Sequence, residues 1–165
     1  MKKSLARFGA GSLASLFFLL TLPLLLTGCF GEPETGPVPI KWDRDACQVC
    51  RMLISDHHFA AQVRGGKRHK AHKFDDVGEL IYWLDQQSWK DDPKVEIWVM
   101  DLDTGTKWLD ARKVRYMPNQ HSPMDYGFGA IEDARPGSVS FEEMVKKVKQ
   151  RGSTNHCLPD RYRPS

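Results

Sequence analysis

The alternation of hydrophobic and polar positions in this 165-residue chain predicts two β-hairpins. Segment 59–63 is strand-like, the glycine pair 65–66 is a turn signal, and segment 68–74 forms the returning strand. Segment 95–99 has apolar residues at every second position, which is the period of a half-buried strand, and a turn at 103–105 leads into its partner. Short connections of this kind imply antiparallel pairing.

The segments that follow predict further strands and one irregular loop. Segment 112–117 is expected to extend the second strand of the later hairpin. Segment 121–129 is rich in proline and glycine, which is typical of a loop. Segment 129–134 is a candidate for one more short strand.

Two segments, 75–89 and 140–152, have the periodicity of amphipathic helices, with apolar residues at i, i+3, i+4 and i+7. These residues are Val77, Leu80, Ile81 and Leu84 in the first helix, and Phe141, Met144, Val145 and Val148 in the second. A capping-box pattern opens each helix, at Asp76 and at Ser140. The first helix is expected to end at Asp92-Pro93, because proline disfavours helical backbone in the residue before it.

The order of these elements shows a coarse repeat. A strand pair, Phe74-Asp75-Asp76 and a helix occur first, and strands, Phe141-Glu142-Glu143 and a helix occur later. We interpret the chain as an α+β fold in which helices pack on mainly antiparallel strands.

The first 28 residues are typical of an export signal, with a basic start and an apolar stretch over 13–26. The stretch closes on Leu26-Thr27-Gly28-Cys29, which resembles a bacterial lipobox. The resemblance implies cleavage before Cys29 and acylation of its sulfur and its new amino group. The alternative is an uncleaved membrane helix, which Pro23 and a length near the lower limit for a span disfavour.

Changes in composition divide the chain into a signal peptide (1–28), a flexible proline-rich and glycine-rich tether (29–40), one folded domain (41–152) and a loose tail (153–165). The signal peptide carries three basic residues and no acidic residue. The 24 Lys+Arg and 21 Asp+Glu of the full chain therefore become 21 of each beyond it. A neutral domain has no broad electrostatic reason to bind nucleic acid.

The motif Cys47-x-x-Cys50-x-Met52 is the strongest candidate for chemistry. A c-type haem site needs a histidine directly after the second cysteine, where Arg51 stands. A thioredoxin-like centre places its cysteine pair at the start of a helix, and the residues after Cys50 lack a helical period. Structural zinc usually takes four ligands in two pairs, and the sequence has no second Cys-x-x-Cys. His69 and His72 could replace it, but positions three apart on a strand point to opposite faces, so we interpret both as solvated polar residues.

An inert Cys47–Cys50 disulfide is the main alternative, because free thiols outside the cytoplasm tend to be oxidised. The chain would then be a thiol-disulfide protein or an adaptor lipoprotein. A third thiol, Cys157, makes the number of cysteines left after lipidation odd. We expect Cys157 to be an incidental or intermolecular thiol.

A disulfide leaves Met52 unexplained. Thioether and thiolate sulfur are soft donors, and both suit Cu(I). Segment 117–124 offers a second group of such donors, with His121 and Met124 on a segment that has no periodic apolar pattern. Apolar packing is the common role of a single methionine, so the pairing of these two segments carries the metal hypothesis.

Four motifs in order resemble the NosL-like accessory proteins of nitrous oxide reductase, which are copper lipoproteins. The motifs are Cys47-x-x-Cys50-x-Met52, Phe74-Asp75-Asp76, Trp98-Val99-Met100-Asp101 and Ser122-Pro123-Met124. The chain departs from the family pattern at two positions where glycine is usual, Arg51 and Asp125. Neither departure removes a donor atom.

The resemblance implies two similar ββαβ units, with a copper-binding domain over 41–152. It also implies a carrier rather than an enzyme, lipid-anchored at the periplasmic face of a bacterial membrane. Such a protein would pass Cu(I) to nitrous oxide reductase with the help of a dedicated ABC-transporter complex. As ligands we predict the Cys50 thiolate, Met52 beside it and Met124 from the loop, with His121 or Cys47 completing the site.

Overall fold

The fold is known from a computed structural model, in which residues 33–152 are described. The signal peptide, the first four residues of the tether with the lipidation residue Cys29, and the tail with Cys157 lie outside the described residues. The predicted divisions of the chain therefore stay predictions. Within residues 33–152, no helix is long and apolar enough to cross a bilayer.

A four-stranded antiparallel sheet contains both predicted hairpins. Its strands are β1 (Ala61–Gly65), β2 (Lys70–Phe74), β3 (Glu96–Met100) and β4 (Trp108–Asp110), in the order β2-β1-β3-β4. Val63 of β1 is opposite His72 on one side and Ile97 on the other. Ile97 is buried, as the alternation over 95–99 predicts, whereas Val63 lies in a strand whose five residues are all buried.

A second, two-stranded sheet pairs β5 (Arg115–Met117) with β6 (Gly129–Ile131). The short strand predicted at 129–134 is confirmed, but the expectation that 112–117 extends β4 is wrong. The chain turns after β4, where the Lys113 amide donates to the Asp110 carbonyl at 3.0 Å. The buried Tyr116 hydroxyl donates to the Ala111 carbonyl at 2.8 Å and holds this turn against β5.

Helices α1 (Val77–Asp85) and α2 (Phe141–Arg151) confirm the two helical predictions, including the capping box from Ser140. Helix α1 ends eight residues before Pro93, so the predicted end is wrong. The reason is Trp89, whose ring packs over the β1–β2 turn. A Cβ atom on Gly65 would lie 2.2 Å from this ring, and only glycine leaves room for it.

The hydrophobic core lies between the four-stranded sheet and α1, and α2 packs against α1 and β5. The largest fully buried apolar side chains are Tyr116, Phe74, Ile54, Leu80, Ile131 and Met144. The α+β class is confirmed. The first ββαβ unit is β1-β2-α1-β3, and β5, β6 and α2 repeat the hairpin and helix in the second half.

Candidate metal centre

The Cys-x-x-Cys motif lies in a loop that its own backbone closes. Ala46 and Leu53 form an antiparallel bridge, and the Cys47 amide donates to the Met52 carbonyl at 2.8 Å. The Gln48 amide donates to the Lys73 carbonyl at 2.8 Å, which attaches the loop to the edge of β2. No helix follows the motif, as the sequence predicts, so a thioredoxin-like setting is absent from this part of the described chain.

Both cysteines of the motif are free thiols that face buried carboxylates. The Cys47 thiol is fully buried and donates to Glu79 Oε2 at 2.7 Å. The Cys50 thiol is half-buried and donates to Asp75 Oδ2 at 3.4 Å. One donor atom from each of the four residues lies within 4.8 Å of the other three. We call Cys47, Cys50, Asp75 and Glu79 the inner donor set.

The electrostatics of this set keep Cys47 protonated. The hydrogen bond with Cys50, burial and the neighbouring charge of Asp75 together raise the pKa of the Cys47 thiol. Asp75 and Glu79 are 3% and 1% exposed, and Asp75 Oδ1 has no hydrogen-bond donor among the described residues. A cation that enters the set would meet carboxylate oxygens at once, and would have to displace thiol protons to gain sulfur ligands.

Asp75 and Glu79 were not predicted as site residues. The sequence explains acids at the start of a helix by capping and by the helix dipole, and that reading is correct for Asp76, whose Oδ1 accepts from the Gly78 amide at 2.8 Å. The other two lie on either side of this N-cap, Asp75 before the helix and Glu79 in its first turn, and the fold brings both carboxylates to the Cys-x-x-Cys loop. No local sequence pattern distinguishes that position from a capping role.

The carboxylate of Asp76 also anchors the predicted loop. Its Oδ2 accepts from the Ser122 hydroxyl at 2.5 Å and from the Met124 amide at 3.2 Å. The Ser122 oxygen in turn accepts from the Gly127 amide at 2.9 Å. Burial raises the pKa of Asp76 to about 6, against the opposing effect of these hydrogen bonds. The loop is thus joined to the start of α1, one residue from Asp75.

The predicted ligands occupy different depths. Cys47 and Cys50 come together, and Met124 is half-buried against the core beside its anchor, Asp76. Met52 is 48% exposed, next to the exposed Leu53, and His121 is exposed on the loop. The ligand set as a whole stays a prediction.

Comparison with known proteins agrees with these motifs. The family model of NosL matches residues 37–135, which is more than half of the chain. The chain belongs to the NosL family. A solved structure, the copper chaperone NosL from Shewanella denitrificans, matches with a TM-score of 0.52 and 16% sequence identity. The match covers 72% of this chain and 88% of that chain, and it shows a common fold. No curated protein matches the chain at a significant level.

The two departures from the usual NosL pattern have a shared backbone conformation. Arg51 has a φ of 67° and Asp125 a φ of 58°, both in the left-handed region that favours glycine. Both side chains therefore adopt, at a cost, a backbone conformation in which glycine would be unstrained. Aspartate tolerates the conformation better than arginine does.

Proposed function

We propose that this chain is a copper carrier that holds Cu(I) with Cys50, Met52 and Met124. The observation that carries the proposal is the position of Cys50. It is the half-buried thiol of the pair, two residues from an exposed thioether, and it contacts Asp75, the neighbour of the residue that anchors Met124. Sulfur donors from two distant segments are the set that selects a soft monovalent ion.

The surface position of these donors suits a carrier rather than a permanent site. A metal held by few ligands, one of them on a loop, can be approached by an acceptor's ligands before the donor's ligands leave. The named activity of the structural neighbour, a copper chaperone, supports the same function. The proposed activity requires no catalytic group, and ligand exchange is its whole chemistry.

The proposal includes a place of action and a recipient. The lipobox-like sequence ending at Cys29 supports a lipid anchor at the periplasmic face of the membrane. The motifs of the family support delivery of copper for maturation of nitrous oxide reductase, together with its ABC-transporter complex. Loss of labelled fatty acid from Cys29→Ser tests the anchor. Transfer of copper to the metal-free reductase tests delivery.

The binding site is tested with the full chain, purified in detergent without a metal-binding tag and kept reduced. Cu(I) affinity is measured against a coloured competing chelator, in a background where Cys29 and Cys157 are serines. We expect Cys50→Ser and Met124→Leu each to weaken binding by about tenfold or more. Met117→Leu is the matched control, because Met117 is half-buried in β5 and outside the proposed site. Unchanged affinity in both ligand variants would overturn the site.

A further inference from the structure

The chain that leads to the domain from the predicted lipidation residue is held to one end of the four-stranded sheet. The buried Gln62 side chain accepts from the Val38 amide at 2.9 Å and donates to the Val38 carbonyl at 2.7 Å. The Gly36 amide donates to Glu96 Oε2 at 2.6 Å, and the Gly36 carbonyl accepts from Arg64 Nε at 2.5 Å. These hydrogen bonds to β1 and β3 fix the point at which the chain leaves the domain.

The chain between Cys29 and this point is short. Gly36 follows Cys29 by seven residues, and an extended chain spans at most about 3.3–3.6 Å per residue. Whatever course these residues take, an acylated Cys29 lies within about 25 Å of Gly36. A domain of about 120 residues has a diameter of about 35 Å, so the chain is too short for the domain to turn its opposite end to the bilayer.

The turn between β1 and β2 lies beside Gly36. Arg64 Nη1 donates to the His69 carbonyl at 3.1 Å, and His69 Nε2 lies 3.2 Å from Glu96 Oε1. Arg64 and Glu96 are the same two side chains that hold the backbone of Gly36. The His69 amide donates to the Gly66 carbonyl at 3.1 Å and closes the turn. Any bilayer that holds Cys29 is therefore near this turn.

The tip of the turn carries three exposed cations, Lys67, Arg68 and Lys70. None of the ion pairs between described residues includes any of the three. We call residues 67–70 the basic turn. The adjoining segments carry exposed acids, which are Glu34, Asp91 and Asp92. The positive charge is thus a property of the turn and not of the whole end of the domain.

We propose that the basic turn rests on the anionic phospholipid headgroups of the bilayer that holds the acyl chains. Lysine and arginine are attracted to an anionic bilayer only within about one Debye length, which is about 8 Å at physiological ionic strength. The short connection to Cys29 supplies that proximity. An acyl anchor and a basic patch act together in stable membrane attachment, and here the patch would also orient the domain. The proposal rests on the lipid anchor of the proposed function.

The orientation has a consequence for the metal centre. Strand β2 begins at Lys70 in the basic turn and ends at Phe74, directly before Asp75. Five residues at about 3.3 Å each separate the two ends of β2 by about 16 Å. With the basic turn on the headgroups, Cys50 and the carboxylate of Asp75 are at the end of the sheet that faces away from the membrane, where an acceptor protein can approach.

Trypsin cleaves after lysine and arginine, so it reports access to the basic turn directly. The full chain, processed by its host, is purified in detergent and checked for acylation by intact mass. It is then inserted into preformed vesicles of phosphatidylcholine, alone or with about one third phosphatidylglycerol. We expect cleavage after Arg68, followed by peptide mass spectrometry, to be about tenfold slower on the anionic vesicles, and the difference to shrink in about 0.5 M NaCl.

Cleavage after Lys107 is the internal control. Lys107 is exposed and precedes Trp108, which pairs with Met100 at the opposite end of β3 from Glu96. Its cleavage rate should be the same on both kinds of vesicle.

Matched double variants test the charges. Lys67→Glu/Lys70→Glu keeps Arg68 as the cleavage site and should abolish the difference between the two kinds of vesicle. Because the two rates are compared within one variant, the effect of glutamate on trypsin itself cancels. Lys147→Glu/Arg151→Glu makes the same change of charge on α2, beside the loop of 118–128, and should keep the tenfold difference. Far-UV circular dichroism checks folding, and both variants should bind Cu(I) as the parent chain does.

Equal cleavage after Arg68 on the two kinds of vesicle would overturn the proposal. So would a difference that persists in Lys67→Glu/Lys70→Glu, or protection of Lys107 in place of Arg68. A chain that carries no acyl group at Cys29 refutes the lipid anchor and this orientation together. An acylated chain that is cleaved equally on both vesicles refutes the headgroup contact alone, so the two failures are distinguishable.

Discussion

The hydrogen bond from Ser122 to Asp76 allows a pH-dependent prediction of stability. Ser122→Ala removes a 2.5 Å bond to a buried carboxylate and also removes the acceptor of the buried Gly127 amide. A hydrogen bond to a charged group contributes about 1.5–3 kcal/mol, a neutral one about 0.5–1.5, and an unsatisfied buried amide costs about 1–3 kcal/mol. Allowing for relaxation, we expect the free energy of unfolding to fall by about 3 kcal/mol at pH 8.

The decrease in the free energy of unfolding caused by Ser122→Ala should be smaller at acidic pH, because the pKa of Asp76 is raised to about 6 from an ordinary 3.8. The native state therefore retains a proton that the unfolded state loses between these values, and stability falls as the pH rises through them. The Ser122 bond lowers the pKa of Asp76, so Ser122→Ala raises it further and extends the fall above pH 6. At pH 5, where Asp76 is mostly protonated, only a neutral bond is lost, and we expect a decrease of about 2 kcal/mol.

Urea denaturation of the reduced chain at pH 5 and pH 8, followed by tryptophan fluorescence, measures both values. Ser88→Ala is the control, because Ser88 is exposed in the turn after α1, and a change within about 0.5 kcal/mol is expected. The reasoning is refuted if Ser122→Ala changes the free energy of unfolding by no more than the control does. It is also refuted if the decrease is the same at both pH values.

Three further variants or reactions follow from the described contacts. Arg51→Gly should raise the free energy of unfolding by about 0.5–1 kcal/mol, because the strain of an arginine at a left-handed φ of 67° exceeds the entropy cost of glycine. A lower free energy of unfolding in denaturation experiments would contradict this. Gly78→Ala should lower the free energy of unfolding by about 1–3 kcal/mol, because the new Cβ would lie 2.1 Å from the Tyr126 ring. This clash should exceed the gain from the higher helix propensity of alanine, and a higher melting temperature would disprove the prediction. Iodoacetamide should modify Cys50 more than about tenfold faster than Cys47 in the native chain, since Cys47 is buried with a raised pKa; equal rates by peptide mass spectrometry would exclude the described burial.

Local patterns predicted most of the secondary structure. The periodicity of Val77, Leu80, Ile81 and Leu84 identifies α1, and alternation over 95–99 identifies β3. The errors occur where a distant contact decides the outcome. Helix α1 ends early because Trp89 packs on a glycine of another element, and β5 leaves the first sheet because Tyr116 bonds to Ala111 across a turn.

The candidate site was predictable in part for the same reason. Cys47 and Cys50 are close in sequence, so their spacing indicates joint chemistry without any knowledge of the fold. Asp75 and Glu79 meet those thiols only because the loop of 46–53 attaches to β2, immediately before α1. In the sequence, an acid at the start of a helix is explained as well by capping as by a role in a metal site. Only the tertiary contact with the thiols distinguishes these two roles.

The Asp76 carboxylate constrains the length of the 122–127 segment in this chain. Surface loops usually accept inserted and deleted residues, because their backbone bonds to water. Here the Asp76 carboxylate accepts hydrogen bonds from the amides of Gly78 and Met124 and from the Ser122 hydroxyl. The Ser122 oxygen accepts a further bond from the Gly127 amide. An added or deleted residue between 122 and 127 would leave buried donors unpaired, so the length of this segment is expected to be invariant even where its side chains change.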